Sequence, residues 1–246
     1  MCRAAFGRMP ALFGLCYTRI MLITRLLPHH AAAAAHLHIA GQPGTFLTSL
    51  GPEVLTLFYE LLPASPTGFG FAAVDPGVGW SDHMLHQSQT ESMCGFVSAT
   101  TSTGRLFIEL GTKRLGRFLP LLIRRFIKQP RLLWLSTQTV LYPLLVRGQG
   151  ASAHTPAAEL LSIMVDPGLR GRGIGAALLR TLCSTCTTAG IPWLDVTVAA
   201  DNSGARRFYE RHGFRPVHDF VLYRRRMCGY RLEIKGLRDW ETGEQG

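Results

Sequence analysis

Apolar positions along the chain change period several times, and each change marks an element. From Met21, the run Ile23 to Leu27 predicts a short strand, Pro28 stands at a helix entrance, and an Ala-rich helix follows to about His38. Helical spacing returns at Val54, Leu55, Leu57, Phe58, Leu61 and Leu62, after Ser49 to Pro52 supplies a break and a capping opportunity. Phe69 to Val74 and Met93 to Thr101, rich in aromatic, Val, Ala and Thr residues, predict an antiparallel strand pair. Between them Asp75 to Ser92, with Pro76, Gly77 and Gly79, forms a long connection. From Glu159 the signals sharpen: a strand over Leu160 to Val165, a turn over Asp166 to Arg172, and a helix from Gly173 to about Ala189. A strand over Trp193 to Ala199, a helix over Ser203 to His212 and a closing strand around Val217 to Tyr223 complete the order.

Residues 104 to 157 break this alternation. Leu115, Phe118, Leu119, Leu122, Ile123, Phe126 and Ile127 recur at three- and four-residue steps, with Arg114, Arg117, Arg124, Arg125 and Lys128 on the opposite side of the wheel. The segment reads as one basic amphipathic helix or two, with a kink or a fresh start at Leu119 and Pro120, where a ring replaces the N–H that a regular helix needs. It holds nine basic residues against one acid, Glu109, and so carries most of the chain's net charge of +10. Leu132 to Val146 is too short and too polar for a membrane span. Three readings of the basic helices stand: a solvated face over an apolar stripe packed on the core, a lid over an acceptor pocket, or a contact through 113 to 131 with anionic membrane or another polyanion. The basic face lacks interleaved aromatics and any nucleic-acid module, which argues against sequence-specific nucleic-acid binding.

Composition narrows the class. Hydrophobic residues make up 47% of the 246 and charged residues 17%, the balance of one folded domain rather than a disordered chain. Of the 26 basic residues 23 are Arg, whose planar fork suits phosphate, although a GC-rich genome produces the same bias. Six scattered cysteines without a framework predict a reducing, cytoplasmic setting. Cys183 and Cys186 form a CxxC inside the predicted helix with no second ligand pair, so packing is expected and metal is not. His29, His30, His36 and His38 cluster without a carboxylate or Cys beside them, and a surface or packing role is expected. Residues 1 to 20 carry three Arg and no acid; an extension outside the fold is the expectation, with an organelle transit segment as the alternative. The domain is expected over 21 to 230, with 231 to 246 as a tail.

After the strand that ends at Val165 comes Arg170, Gly171, Arg172, Gly173, Ile174 and Gly175, leading directly into a helix. Glycines let backbone N–H groups converge on a concavity, and the helix N-terminus adds partial positive charge, so the turn suits a pyrophosphate. No Gly-Lys-Ser/Thr follows, and no ribose-binding acid stands at dinucleotide spacing. Val165-Asp166-Pro167 followed by Arg170-x-x-Gly173-x-Gly175, and then Asn202-x-x-Ala205-x-x-x-Tyr209-x-x-x-Gly213-Phe214, resembles the consecutive motifs of the GCN5-related N-acetyltransferase (GNAT) superfamily. The resemblance is close over 158 to 223, looser over Met21 to Thr101, and absent from 104 to 157.

The resemblance implies an α/β fold: a mixed, mostly antiparallel central sheet splayed near Ile163 to Val165, helices on both faces, and a helical insertion between strands 3 and 4. It implies acetyl-CoA as co-substrate and no metal. Ile163, Met164 and Val165 would pair with the pantetheine arm, and Arg170, Gly171, Arg172, Gly173, Ile174, Gly175 and Ala176 would hold the pyrophosphate. Asn202 would bond the pantetheine or the helix entrance, and Tyr209 would protonate the departing thiolate, which a phenol can do without prior activation. Glu159 matches the catalytic glutamate of the histone acetyltransferase branch. The position where ribosomal-protein acetyltransferases place their acid is Thr197 here, leaving Asp195 as an outside choice of base. The implied reaction is direct acetyl transfer to a primary amine, with a small molecule or amino sugar preferred because the insertion could roof a closed pocket. A protein N-terminal or lysine acceptor is one alternative, and a non-catalytic CoA-binding or membrane-docking module is another.

Overall fold

The computed structural model of the chain describes residues 21–75, 92–132, 157–222 and 224–234. Seven strands form one sheet in the order β1-β2-β3-β4-β5-β7-β6: β1 (Leu22–Arg25), β2 (Gly68–Asp75), β3 (Ser92–Thr100), β4 (Ala157–Val165), β5 (Trp193–Ala199), β6 (Arg215–Leu222) and β7 (Arg225–Glu233). All neighbours are antiparallel except β4 and β5. Helices α1 (Ala31–Gly41), α2 (Phe46–Ser49) and α3 (Pro52–Leu61) connect β1 to β2; α4 (Thr103–Thr112) and α5 (Leu115–Lys128) follow β3; α6 (Ile174–Thr188) joins β4 to β5 and α7 (Ser203–Arg211) joins β5 to β6. This is the mixed, mostly antiparallel sheet expected from the sequence, with a helical segment between the third and fourth strands.

Two apolar clusters sandwich the sheet. On one face α3 buries Val54, Leu55, Leu57, Phe58 and Leu61, and packs with α1, Leu106 and Leu110 of α4, and Phe118 of α5. On the other, α6 buries Ile174, Leu178, Leu179, Leu182, Cys183 and Cys186, a helical stripe against Val196 and Leu194 of β5 and Tyr209 of α7. The CxxC pair is thus packing. Burial pushes the Cys183 thiol up to about 12 and Cys186 to about 11, so both stay protonated. The histidine cluster divides: His29 and His36 are exposed, whereas His30 and His38 are buried.

Three expectations require correction. First, the sequence pattern does not predict β7, which runs past the expected domain end at 230 to Glu233, and Ile234 is buried with its N–H donating to Pro192 O at 2.8 Å. Arg residues and a central glycine obscure its alternation. Gly229 leaves room for the His218 ring on β6, which would lie 2.7 Å from a Cβ there. Second, no fresh helix starts at Leu119 and Pro120: the break lies at Lys113 and Arg114, and α5 runs through Pro120. The carbonyl deprived of a partner belongs to Gly116, on the exposed side, where water can satisfy it. Third, only part of the apolar stripe of α5 reaches the core: Phe118 is buried and Leu121, Leu122 and Phe126 pack against it, while Leu115, Leu119, Ile123 and Ile127 are exposed. The expectations for 1–20, for the loop 76–91 and for 133–156 lie outside the described residues, as does most of the tail.

Candidate functional site

The site begins where the sheet opens. β4 pairs with β5 only from Ala157↔Trp193 to Leu160↔Val196, and beyond that point the two strands part while each keeps its other neighbour. The departure coincides with a bulge in β4: Ser98 opposes Ser162 and Ala99 opposes Leu160, leaving Leu161 as the extra residue. Downstream, the Asp166 N–H donates to Cys94 O at 2.9 Å. Alternation along an antiparallel ladder then turns Met164 toward β3, and turns the backbone groups of Ile163 and Val165 toward the gap. Met164 is therefore committed to β3 and packs its side chain on α1, where its Sδ would lie 2.7 Å from a Cβ at Gly41. Of the three strand residues singled out in the sequence, two face the opening and one does not.

The turn after β4 is built from local chemistry. Asp166 accepts from the Gly168 N–H at 2.8 Å and starts a single 3₁₀ turn, Pro167–Leu169. The Arg170 Nε donates to Val165 O at 3.4 Å, at the mouth of the gap. Gly171 and Gly173 sit at φ 77° and 79°, left-handed values that strain any side-chain-bearing residue, and nothing lies within 4 Å of a Cβ at either position. Gly173 is the N-cap of α6 and has no side chain to offer, so the N–H groups of Ile174, Gly175 and Ala176 lack acceptors within the helix. An open concavity edged by these donors and flanked by Arg170 and Arg172 suits a phosphate. A Cβ at Gly175 would lie 3.5 Å from the Phe208 ring, so α7 stands beside the helix entrance.

On α7, Asn202 is the N-cap: its Oδ1 accepts from the Ala205 N–H at 3.0 Å, the helix-entrance alternative of its two expected roles. Tyr209 is 4% exposed, its ring between Phe208 and Phe214 at centroid distances of 5.3 and 5.1 Å. Burial raises its pKa above the ordinary phenol value, so the hydroxyl keeps its proton, and no described residue hydrogen-bonds it.

Glu159 lies on the opposite face, as the bulge and strand alternation require, and the Thr103 hydroxyl at the start of α4 donates to its Oε2. Asp195 is its register partner on β5, but this carboxylate is held by Arg231, whose Nε and Nη2 donate at 2.7 and 2.8 Å. The same guanidinium lies over the Trp193 ring at 5.4 Å. Both oxygens of Asp195 are thus taken up by Arg231, while Glu159 is bonded to Thr103.

A polar cluster that the sequence did not reveal sits under the bulge. His38 Nδ1 and the Tyr59 hydroxyl are 2.6 Å apart, the Tyr59 hydroxyl donates to Ser162 Oγ at 3.2 Å, and the buried His38 Nε2 has no partner among the described residues. Burial lowers the His38 pKa to about 4, which leaves the ring neutral. The three residues are 21 and 103 positions apart, so no local pattern joins them.

Residues 140–214 match the model of the Acetyltransferase (GNAT) family. A mycothiol acetyltransferase of Nocardiopsis dassonvillei is 36% identical over 76 residues, 31% of this chain and 23% of that protein. An uncharacterized N-acetyltransferase of Methanocaldococcus jannaschii is 42% identical over 57 residues, 23% of this chain and 25% of its own length. The chain thus spans about a quarter of these two relatives. Arabidopsis thaliana NAA60 in complex with acetyl-CoA superposes with a TM-score of 0.55 at 16% identity, over 88% of this chain and all of the other. The fold is that of the GNAT acetyltransferases.

Proposed function

We propose that this chain, whose residues 140–214 carry the GNAT pattern, is an acetyl-CoA-dependent N-acetyltransferase that moves acetyl directly to a primary amine of a small molecule or amino sugar. One observation carries the reading: the unpaired β4 edge at Ile163 and Val165 runs straight into the open, uncapped start of α6. An extended arm with amide groups fits the first and a pyrophosphate fits the second, in the order in which CoA joins them. Bound acetyl-CoA supplies the thioester. Ile163 and Val165 align the arm, and Gly171 to Ala176 with Arg170 and Arg172 hold its phosphates. Glu159, oriented by Thr103, takes a proton from the incoming ammonium directly or through water, and Tyr209 donates its proton to the departing sulfur. Asn202 acts by holding the entrance of α7 and so the placement of Tyr209.

The small-molecule acceptor is favoured by α4, whose first turn is bonded to Glu159, and by relatives named mycothiol acetyltransferase. The test measures CoA release, corrected for thioester hydrolysis, with separate panels of amino sugars, other small amines and peptides. Stimulation by a member of the small-amine panels supports the assignment. Stimulation by peptides alone would move the acceptor class to protein amines, and tight acetyl-CoA binding with no turnover on any panel would make the chain a CoA-binding module.

A further inference from the structure

The outward surface of α5 divides into two zones. At 100° per residue, Leu115, Leu119, Ile123 and Ile127 form one stripe with Gly116 and Pro120 beside it, and the row Arg124, Arg117 and Lys128 comes next before the surface turns to the core. The stripe is solvent-facing: Leu115, Leu119, Ile123 and Ile127 are 42, 45, 48 and 78% exposed. Such a run is unusual on a soluble surface and calls for an occupant. Charge selects which. Residues 103–132 contain eight basic side chains and one acid, Glu109. Arg117 is spent on Glu60 at 2.9 Å and the Arg125 Nε on Ser49 O at 2.8 Å, whereas Arg124 and Lys128 are exposed at the rim of the stripe, beside a cleft they share with Arg125 and Glu53. A second copy docked on the stripe would bring two cationic rims together, which disfavours self-association. No described helix is long and apolar enough to cross a membrane.

We infer that α5 lies in the plane of an anionic lipid surface, with Leu119, Ile123 and Ile127 entering the headgroup boundary and Arg124 and Lys128 meeting phosphate groups. This goes beyond the transfer reaction and does not depend on it.

The experiment is flotation of the full chain with vesicles of phosphatidylcholine alone or with about a third phosphatidylglycerol, at low and high salt. Binding is expected to the anionic vesicles at low salt, and to weaken as salt screens the cations. Arg124→Glu with Lys128→Glu lowers the partition coefficient by about an order of magnitude or more, and Ile123→Ser with Ile127→Ser by a similar factor. Both variants change exposed residues only, and unchanged circular dichroism and thermal midpoint confirm their fold. Three results overturn the inference: no binding of the folded parent to anionic vesicles, binding that survives Ile123→Ser with Ile127→Ser, or a dimer in light scattering that this same pair dissolves. The second would mean electrostatic adsorption without insertion, and the third a self-interface.

Discussion

Replacing His38 by Gln should change how the stability of the protein responds to acid. The ring is 1% exposed, its Nδ1 is engaged by Tyr59, and its Nε2 has no hydrogen-bond partner among the described residues. Burial therefore lowers its pKa from 6.5 to about 4. Above pH 6.5 the ring is neutral in both folded and unfolded chains. Between 6.5 and about 4 the unfolded chain takes up a proton that the folded one refuses, so stability falls as pH falls. Below 4 both states are protonated and the loss is complete. At about 1.4 kcal/mol per pH unit, a difference of roughly 2.5 units amounts to about 3 kcal/mol. Urea unfolding at pH 7, 6, 5 and 4 reads this directly, because the other titrating groups largely cancel in the comparison. The stability advantage of the parent over His38→Gln should shrink by about 3 kcal/mol from pH 7 to pH 4. A gap that stays constant across that range, or a His38 ring proton whose NMR shift titrates near 6.5, would refute the reasoning.

At the proposed active site, Gly173→Glu places a carboxylate in the phosphate concavity and a side chain at φ 79°, and calorimetry should find acetyl-CoA binding lost in a folded protein. Tyr209→Phe should lower kcat by roughly tenfold or more with acetyl-CoA affinity retained; an unchanged kcat where chemistry limits turnover would remove Tyr209 from the mechanism. Glu159→Gln keeps the shape beside Thr103 and removes the base, so kcat/KM should fall by about 10² or more. Retention of full activity would pass the role to another group.

The parts of this site that could be read in the sequence are those made by neighbours in the chain. Gly171, Gly173 and the helix start form one local device, and the Asn202 to Ala205 cap spans three residues. Glu159 and Tyr209 could be placed on their elements because those elements are short and strongly patterned. What escaped depends on tertiary pairing. β7 has a weak alternation of its own and is defined by β5 on one side and β6 on the other. The His38, Tyr59 and Ser162 cluster needs α1, α3 and the β4 bulge brought together. The commitment of Met164 to β3 follows from ladder alternation after that bulge, a one-residue offset that hydrophobicity does not report. Periodicity likewise found the apolar positions of α5 without saying which of them the core would cover.

The order β5-β7-β6 gives the growing chain a late commitment step. Of the seven described strands the last in the chain is an interior one, and β5 and β6 share no border except through it. A nascent chain that stops short of Arg225 holds every motif residue, yet leaves β5 with an open border and β6 with no partner in the sheet, a template for pairing with other chains. β7 also anchors the helix above it: Arg206 Nε donates to the Tyr230 hydroxyl at 3.0 Å, and that hydroxyl donates to Glu210 Oε1 at 2.8 Å. Arg206 and Glu210 flank Tyr209 on α7, so a residue that precedes β7 in the chain is held in place by it. A chain truncated just before Arg225 is therefore expected to aggregate, with the borders of β5 and β6 both open, rather than to fold with a weakened site.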